Sequence, residues 1–95
     1  MSLNIEQALQ QALKAEKECS LQNAERIYRT ILKIHPKHPD ASHNLAIILA
    51  SKKNGGLALP LFKTALEVNP NIEQYWLSYI DALISENQPE KASEV

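Results

Sequence analysis

The sequence has a single cysteine, Cys19, so no internal disulfide can form and metal sites built on paired thiolates are excluded. A lone thiol of this kind is expected to be exposed or half-buried and chemically bland. Glycine is almost as scarce, with two residues side by side at Gly55 and Gly56, and the five prolines stand at Pro36, Pro39, Pro60, Pro70 and Pro89. Most of the chain is therefore uninterrupted helix former, and strands have little support. An excess of either charge is also missing. Ten Lys and Arg face eleven Asp and Glu, a net charge of −1, which gives no electrostatic reason to expect nucleic acid or an anionic membrane as partner. The longest unbroken apolar run, Leu45 to Ala50, is far shorter than a bilayer span, and Met1-Ser2-Leu3-Asn4 lacks the basic start and apolar run of a signal peptide. A soluble, cytoplasmic chain is expected. At 95 residues and 44% hydrophobic there is room for the core of one domain and not for a second.

Between the breaks, apolar residues recur at helical steps. From Ile5 to Ile34 they fall at Leu9, Ala12, Leu13, Ala24, Ile27, Tyr28, Ile31 and Leu32, the three- and four-residue spacing of amphipathic helices. A break at Glu18-Cys19-Ser20 divides this stretch in two, with Ser20 placed to cap the second helix through its hydroxyl. That helix ends at His35-Pro36. The plan then returns: a helix from Ala41 to Lys52, a turn at Lys53-Asn54-Gly55-Gly56, a helix from Leu57 to Val68 and a stop at Asn69-Pro70. Pro60 is out of place in that last helix, since an interior proline loses a hydrogen bond and clashes with the preceding turn, costing about 3 kcal/mol. A kink or a late start, with Gly56 as N-cap, is the expected remedy. Pro89, by contrast, follows Gln88 where a first helical residue belongs, so a further helix is expected to begin there.

The helical hairpin recurs at one spacing. Pro36 and Pro70 stand 34 apart, as do Ala24, Ala58 and Ala92, the pair Tyr28 and Phe62, and the turn residues Ser20, Asn54 and Gln88. Small residues suit a point where two helices of a hairpin cross closely, and an aromatic one turn later fills the space beside the crossing. Hairpins in constant register stack on one another, whereas unrelated helices would not keep step.

These residues resemble the tetratricopeptide repeat, whose period is 34 residues with a pattern of Trp, Leu-Gly, Tyr, then Ala, Phe, Ala and Pro. The resemblance covers nearly the whole chain. Repeat 1 (residues 5–38) carries Ala12, Ala24, Tyr28 and Pro36, with Ala8 and Gln11 in place of Trp and Leu. Repeat 2 (residues 39–72) carries Leu45, Ala46 for Gly, Ala58, Phe62, Ala65 and Pro70. Repeat 3 (residues 73–95) has Trp76, Tyr79 and Ala92 but stops within its second helix. Residues 1–4 are a leader outside the repeats, with the look of residues added for expression. The fold implied is all-α, a right-handed α-solenoid of antiparallel hairpins with about two and a half repeats. The run from Tyr75 to Ile84 is also similar to segments in the repeat-bearing N-terminal regions of larger bacterial proteins, some of which carry a glycosyltransferase downstream.

By this resemblance the first helix of each hairpin lines a concave groove that holds a peptide or helix, and the chain is a non-enzymatic protein-binding scaffold. The groove positions are Leu9, Leu13, His43, Asn44, Ile47, Leu77 and Asp81, with Lys17 and Ser51 nearer the rim. The competing view is that Leu9, Leu13 and Ile47 merely pack against neighbours. Chaperone-binding members grip a C-terminal carboxylate with basic residues, but Leu9, Gln74 and Ser78 stand at those positions and Leu13 replaces an Asn, so chaperone tails are not the expected ligand. A different function, an N-terminal regulatory, oligomerisation or acceptor-recognition segment of a larger enzyme, follows from the second resemblance.

Chemistry finds little footing. His35, His38, His43 and Asp40 gather in one stretch, yet no metal spacing brings them to one ion, and Ser42-His43 beside Asp40 lacks the strained elbow of a nucleophilic serine. No catalytic residue, cofactor or metal is expected. Gly55-Gly56, without the sequel of a phosphate loop, reads as a hairpin turn. The shortened third hairpin leaves Trp76, Tyr79, Ile80 and Leu83 short of cover, each forgoing roughly 1.5 to 3 kcal/mol relative to burial. Those four are therefore the expected self-association surface of a homodimer.

Overall fold

The computed structural model describes residues 4–86. Five α-helices account for most of them: α1 (Ile5–Lys17), α2 (Leu21–Ile34), α3 (Pro39–Ser51), α4 (Gly55–Val68) and α5 (Glu73–Glu86). No strand occurs among the described residues, and no helix there is long and apolar enough to cross a membrane. Links of three residues (18–20 and 52–54) alternate with links of four (35–38 and 69–72). Links this short fold each helix back on the one before it, and each packs chiefly on its sequence neighbours, with α3 also reaching α5.

Where helices meet, the side chains are small. Ala12, Ala24, Ala41, Ala46, Ala58 and Ala65 are completely buried, which lets the helices approach closely. Tyr28 and Phe62, 34 residues apart, are the largest fully buried side chains and fill the space beside Ala24 and Ala58. Around them the apolar residues of α1 to α4 form one core joined by Ala82 of α5. A second cluster, Ala65, Leu66 and Tyr75, ties α5 to α4, and Tyr79 packs against both.

The two three-residue links have one geometry. Cys19 and Lys53 adopt the left-handed conformation, each with φ of 61°. The N–H of Cys19 donates to the carbonyl of Glu16 at 3.0 Å and that of Ser20 to Ala15 at 2.8 Å. In the later link Lys53 donates to Ala50 at 2.9 Å and Asn54 to Leu49 at 2.9 Å. These are the paired bonds of a Schellman cap, which satisfies the last carbonyls of α1 and α3. The four-residue links match as closely: His35 (φ −133°, ψ 79°) and Asn69 (φ −131°, ψ 78°) close α2 and α4, donating to Ile31 and Ala65. The 34-residue spacing of the sequence is thus a spacing of backbone geometry.

Several expectations about ends need correction. The helix expected to run from Ala41 to Lys52 is Pro39–Ser51. Proline at the first helical position loses an N–H that had no partner anyway, and His38 caps the helix by accepting from the Ala41 N–H at 3.2 Å. Gly55 and Gly56 are not the turn but the first residues of α4, because Lys53 supplies the positive φ and neither glycine is needed for it. Ser20 occupies the N-cap position, yet its hydroxyl bonds no backbone N–H and accepts instead from Asn23 Nδ2 at 2.7 Å. Pro60 lies well inside α4, and the helix does not start late: Asn54, not Gly56, occupies the N-cap position. The carbonyl deprived of a donor belongs to Gly56, which has open space around its Cα hydrogen position. The helix expected from Pro89 lies outside the described residues.

Two stability changes follow. Lys53→Gly removes a left-handed conformation that costs an L-residue about 1–2 kcal/mol, less the greater unfolded freedom of glycine, and is expected to raise unfolding free energy by about 0.5–1 kcal/mol in urea titration. Pro60→Ala restores a donor to Gly56 and is expected to gain about 1–2 kcal/mol by the same measurement; a loss would show that the proline ring packs productively.

Candidate functional site

Helices α1, α3 and α5 carry side chains in matching register. Leu9, His43 and Leu77 are 34 apart, as are Leu13, Ile47 and Asp81. Leu13 is 46% exposed, Ile47 40% and Leu77 54%; Asp81 is also exposed. Leu9 is half-buried and packs on the core. Leu13 and Ile47, apolar and open at the same position of alternate helices, are unlike the scattered exposed apolar residues of any protein surface.

His43 departs from the groove role expected for it. Only 6% exposed, it lies between α3, α4 and α5, with its ring centroid 4.6 Å from Tyr75 and 5.7 Å from Phe62. Nε2 is 2.9 Å from Ser78 Oγ and Nδ1 is 3.3 Å from Asn44 Oδ1, while Gln74 Nε2 donates to Ser78 Oγ at 3.2 Å. With the Asn44 amide in this orientation one tautomer satisfies every bond. Gln74 donates to Ser78, Ser78 donates to Nε2, and the Nδ1 proton goes to Asn44. The imidazole is neutral in this arrangement. Burial pushes its pKa below the ordinary histidine value, against a rise from the Asn44 bond and the Asp40 charge. Asn44 is half-buried, with its carbonyl on His43 and its amide beside the Tyr28 hydroxyl, whose pKa it draws down against the larger effect of burial.

Two tyrosine–carboxylate bonds lock neighbouring helices. The Tyr28 hydroxyl donates to Glu16, joining α2 to α1, and the Tyr75 hydroxyl donates to Asp40, joining α5 to α3. Burial raises both phenol pKa values, and the carboxylate partners add to the rise. Asp40 is therefore occupied by Tyr75, and His43 by Ser78 and Asn44. Ser42 is completely buried, its Oγ without a partner among the described residues. Ser42, His43 and Asp40 form no relay. His35 and His38 meet edge to face at 5.8 Å, and among the described residues no group of three or more histidine, cysteine or acidic side chains is arranged to hold a metal.

The four residues expected to mediate self-association fall into two kinds. Tyr79 and Leu83 are half-buried, whereas Trp76 at 44% and Ile80 at 47% are exposed. The Trp76 indole N–H donates to the Pro70 carbonyl at 2.7 Å, pinning the link between α4 and α5. Sequence reasoning missed Ile84, 51% exposed, although it completes the helical series begun by Leu77 and Ile80. It also missed Ser78 and Tyr75 as partners of α3, for which no local pattern gives a signal.

Compared with known proteins, the chain matches no protein-family model, and no curated sequence is similar to it.

The buried imidazole has a testable consequence. Its folded pKa lies below its unfolded one, so as pH falls below about 6.5 the unfolded chain takes up a proton that the folded chain resists. Stability is expected to be level above that pH and to decline below it, by at most about 1.4 kcal/mol per pH unit. In urea titrations at a series of pH values, His43→Gln should flatten this decline. An unchanged slope would show that the His43 imidazole is not its source.

Proposed function

We propose that this chain is a tetratricopeptide-type binding module that holds a peptide or short helix along the face presented by α1, α3 and α5. The observation that carries the proposal is the repetition of backbone geometry at 34 residues, down to equal φ values at Cys19 and Lys53 and matched closing bonds at His35 and Asn69. Hairpins related by one constant step stack so that their first helices share a side. Leu13, Ile47 and Asp81 then form one row and Leu9 and Leu77 flank it.

The chemistry of that row suits recognition rather than reaction. Exposed aliphatic side chains anchor a ligand by burial, while the carboxylate of Asp81 orients it. His43, Ser78 and Gln74 support the row from beneath by holding α5 against α3, as the Tyr75–Asp40 bond does. Two of the positions for which the family resemblance implied direct contact thus act differently: Leu9 and His43 shape the face more than they offer it.

Selection from a random peptide display library, followed by titration of a fluorescent selected peptide, tests this reading. Ile47→Asp and Leu13→Asp are each expected to weaken binding by at least about tenfold, while Val68→Ser, at an exposed position of α4, leaves it unchanged. A library that yields no binder, or binders indifferent to both aspartates, would sink the proposal.

A further inference from the structure

A second surface lies on the other side of α3. A groove of about 510 Å³ runs between α2, α3 and α4, floored by Leu45 and Leu49 and walled by Leu32, Leu57 and Leu61. At 100° per residue, Ile47 points about 160–200° away from Leu45 and Leu49, so this groove is separate from the row formed by Leu13 and Ile47. Leu57 at its rim is 52% exposed.

One edge of the groove is cationic. Arg29 and Lys33 line it and continue into an adjoining polar cleft with Arg26 and Lys52. Glu25 is the sole carboxylate lining that cleft. Lys52 and Arg29 share it at 2.5 and 3.0 Å, and these two partners, Lys52 foremost, hold it below the ordinary carboxylate range. Arg26 is engaged by the Asn23 carbonyl at 2.8 Å, and neither it nor Lys33 has an ion-pair partner among the described residues. An apolar trough with surplus positive charge along one edge calls for an apolar helix edged with acids.

The chain contains such a helix. α5 carries Glu73, Asp81 and Glu86 and no lysine or arginine. Tyr75, Tyr79 and Ala82 face inward, packed against the rest of the molecule. On the opposite side Leu77, Ile80 and Ile84, 54%, 47% and 51% exposed, follow one another at helical spacing with exposed Asp81 among them.

We infer that the α2–α3–α4 groove of one copy receives the outer face of α5 from a second copy, with Asp81 and Glu73 set against Lys33 and Arg26. The two surfaces differ, so the contact is head-to-tail and each added copy presents a fresh groove or a fresh α5. Association then continues beyond a dimer. It also takes Leu77 and Asp81 away from the face proposed for peptide capture, so self-association and ligand binding compete.

Sedimentation equilibrium of the full chain alone, without peptide, tests the inference. The average mass is expected to rise from the 10.7 kDa monomer with concentration, without levelling at a dimer, and to fall with added salt. Arg26→Glu with Lys33→Glu, and separately Glu73→Lys with Asp81→Lys, should each give a monomer. Their equimolar mixture should recover association, because the unaltered α5 of the first meets the unaltered groove of the second, and the acidic groove of the first meets the basic helix of the second. All four side chains are exposed, and circular dichroism checks that the variants remain helical; should a reversal unfold, Arg26→Gln with Lys33→Gln is read in its place. A wild-type chain that stays monomeric throughout overturns the inference, as it would if residues of the same chain covered α5. A groove variant that still associates overturns it in favour of α5 pairing with itself.

Discussion

Two helices can cross closely only where neither presents a bulky side chain, and nearly everything else in this molecule is arranged around that requirement. Alanine at 24 and 58 brings the helices of each hairpin together, with Ala12 and Ala46 equally buried on the facing helices. The tightness leaves a wedge beside each crossing, and Tyr28 and Phe62 fill it. A larger residue at the alanines would force the helices apart, and a smaller one at the aromatics would leave a void costing about 3–5 kcal/mol. Tyr28 differs from Phe62 in having a hydroxyl to satisfy, and Glu16 accepts it. The polar bond between α1 and α2 is thus a consequence of which aromatic was used.

Close crossing also dictates the links. The chain must reverse within three residues, and a Schellman cap does so while bonding the carbonyls that the helix end leaves open. Glycine is the usual residue for the left-handed step, yet Cys19 and Lys53 take it here, accepting strain that the paired hydrogen bonds offset. The two glycines of the chain sit two and three positions after Lys53. Gly55 is buried at the start of α4, and neither glycine has a positive φ.

The helical class, the five helices and the buried aromatic and alanine positions were legible in the sequence because they depend on local periodicity and a constant spacing. Helix ends were less so. Pro39 looked like part of a link, and only the capping bond of His38 shows that the helix has already begun. The pair Gly55-Gly56 invited a turn, since composition cannot reveal that lysine has taken the left-handed residue's place. The family resemblance named Leu13, Ile47, Leu77 and Asp81 for the candidate row, and all four are exposed. The burial of His43 was not legible, because it depends on Tyr75 and Ser78 arriving from a helix more than thirty residues away. Ile84 lay beyond reach for a different reason: the series it completes becomes meaningful only once the inner face of α5 is known to be Tyr75, Tyr79 and Ala82.

Matched links have an implication for how such a chain can change length. Because Ser20 and Asn54 begin their helices on nearly the same backbone (φ −99°, ψ 66° and φ −110°, ψ 63°), a duplicate of residues 20–53 spliced after Lys53 would enter and leave on dihedrals already present. Each junction would fall where a left-handed residue hands over to a helix start, so no turn would have to be invented for the added hairpin. Growth by gene duplication then requires only that the newcomer's alanines and aromatic keep their places, and the number of hairpins becomes a quantity that selection can adjust one unit at a time.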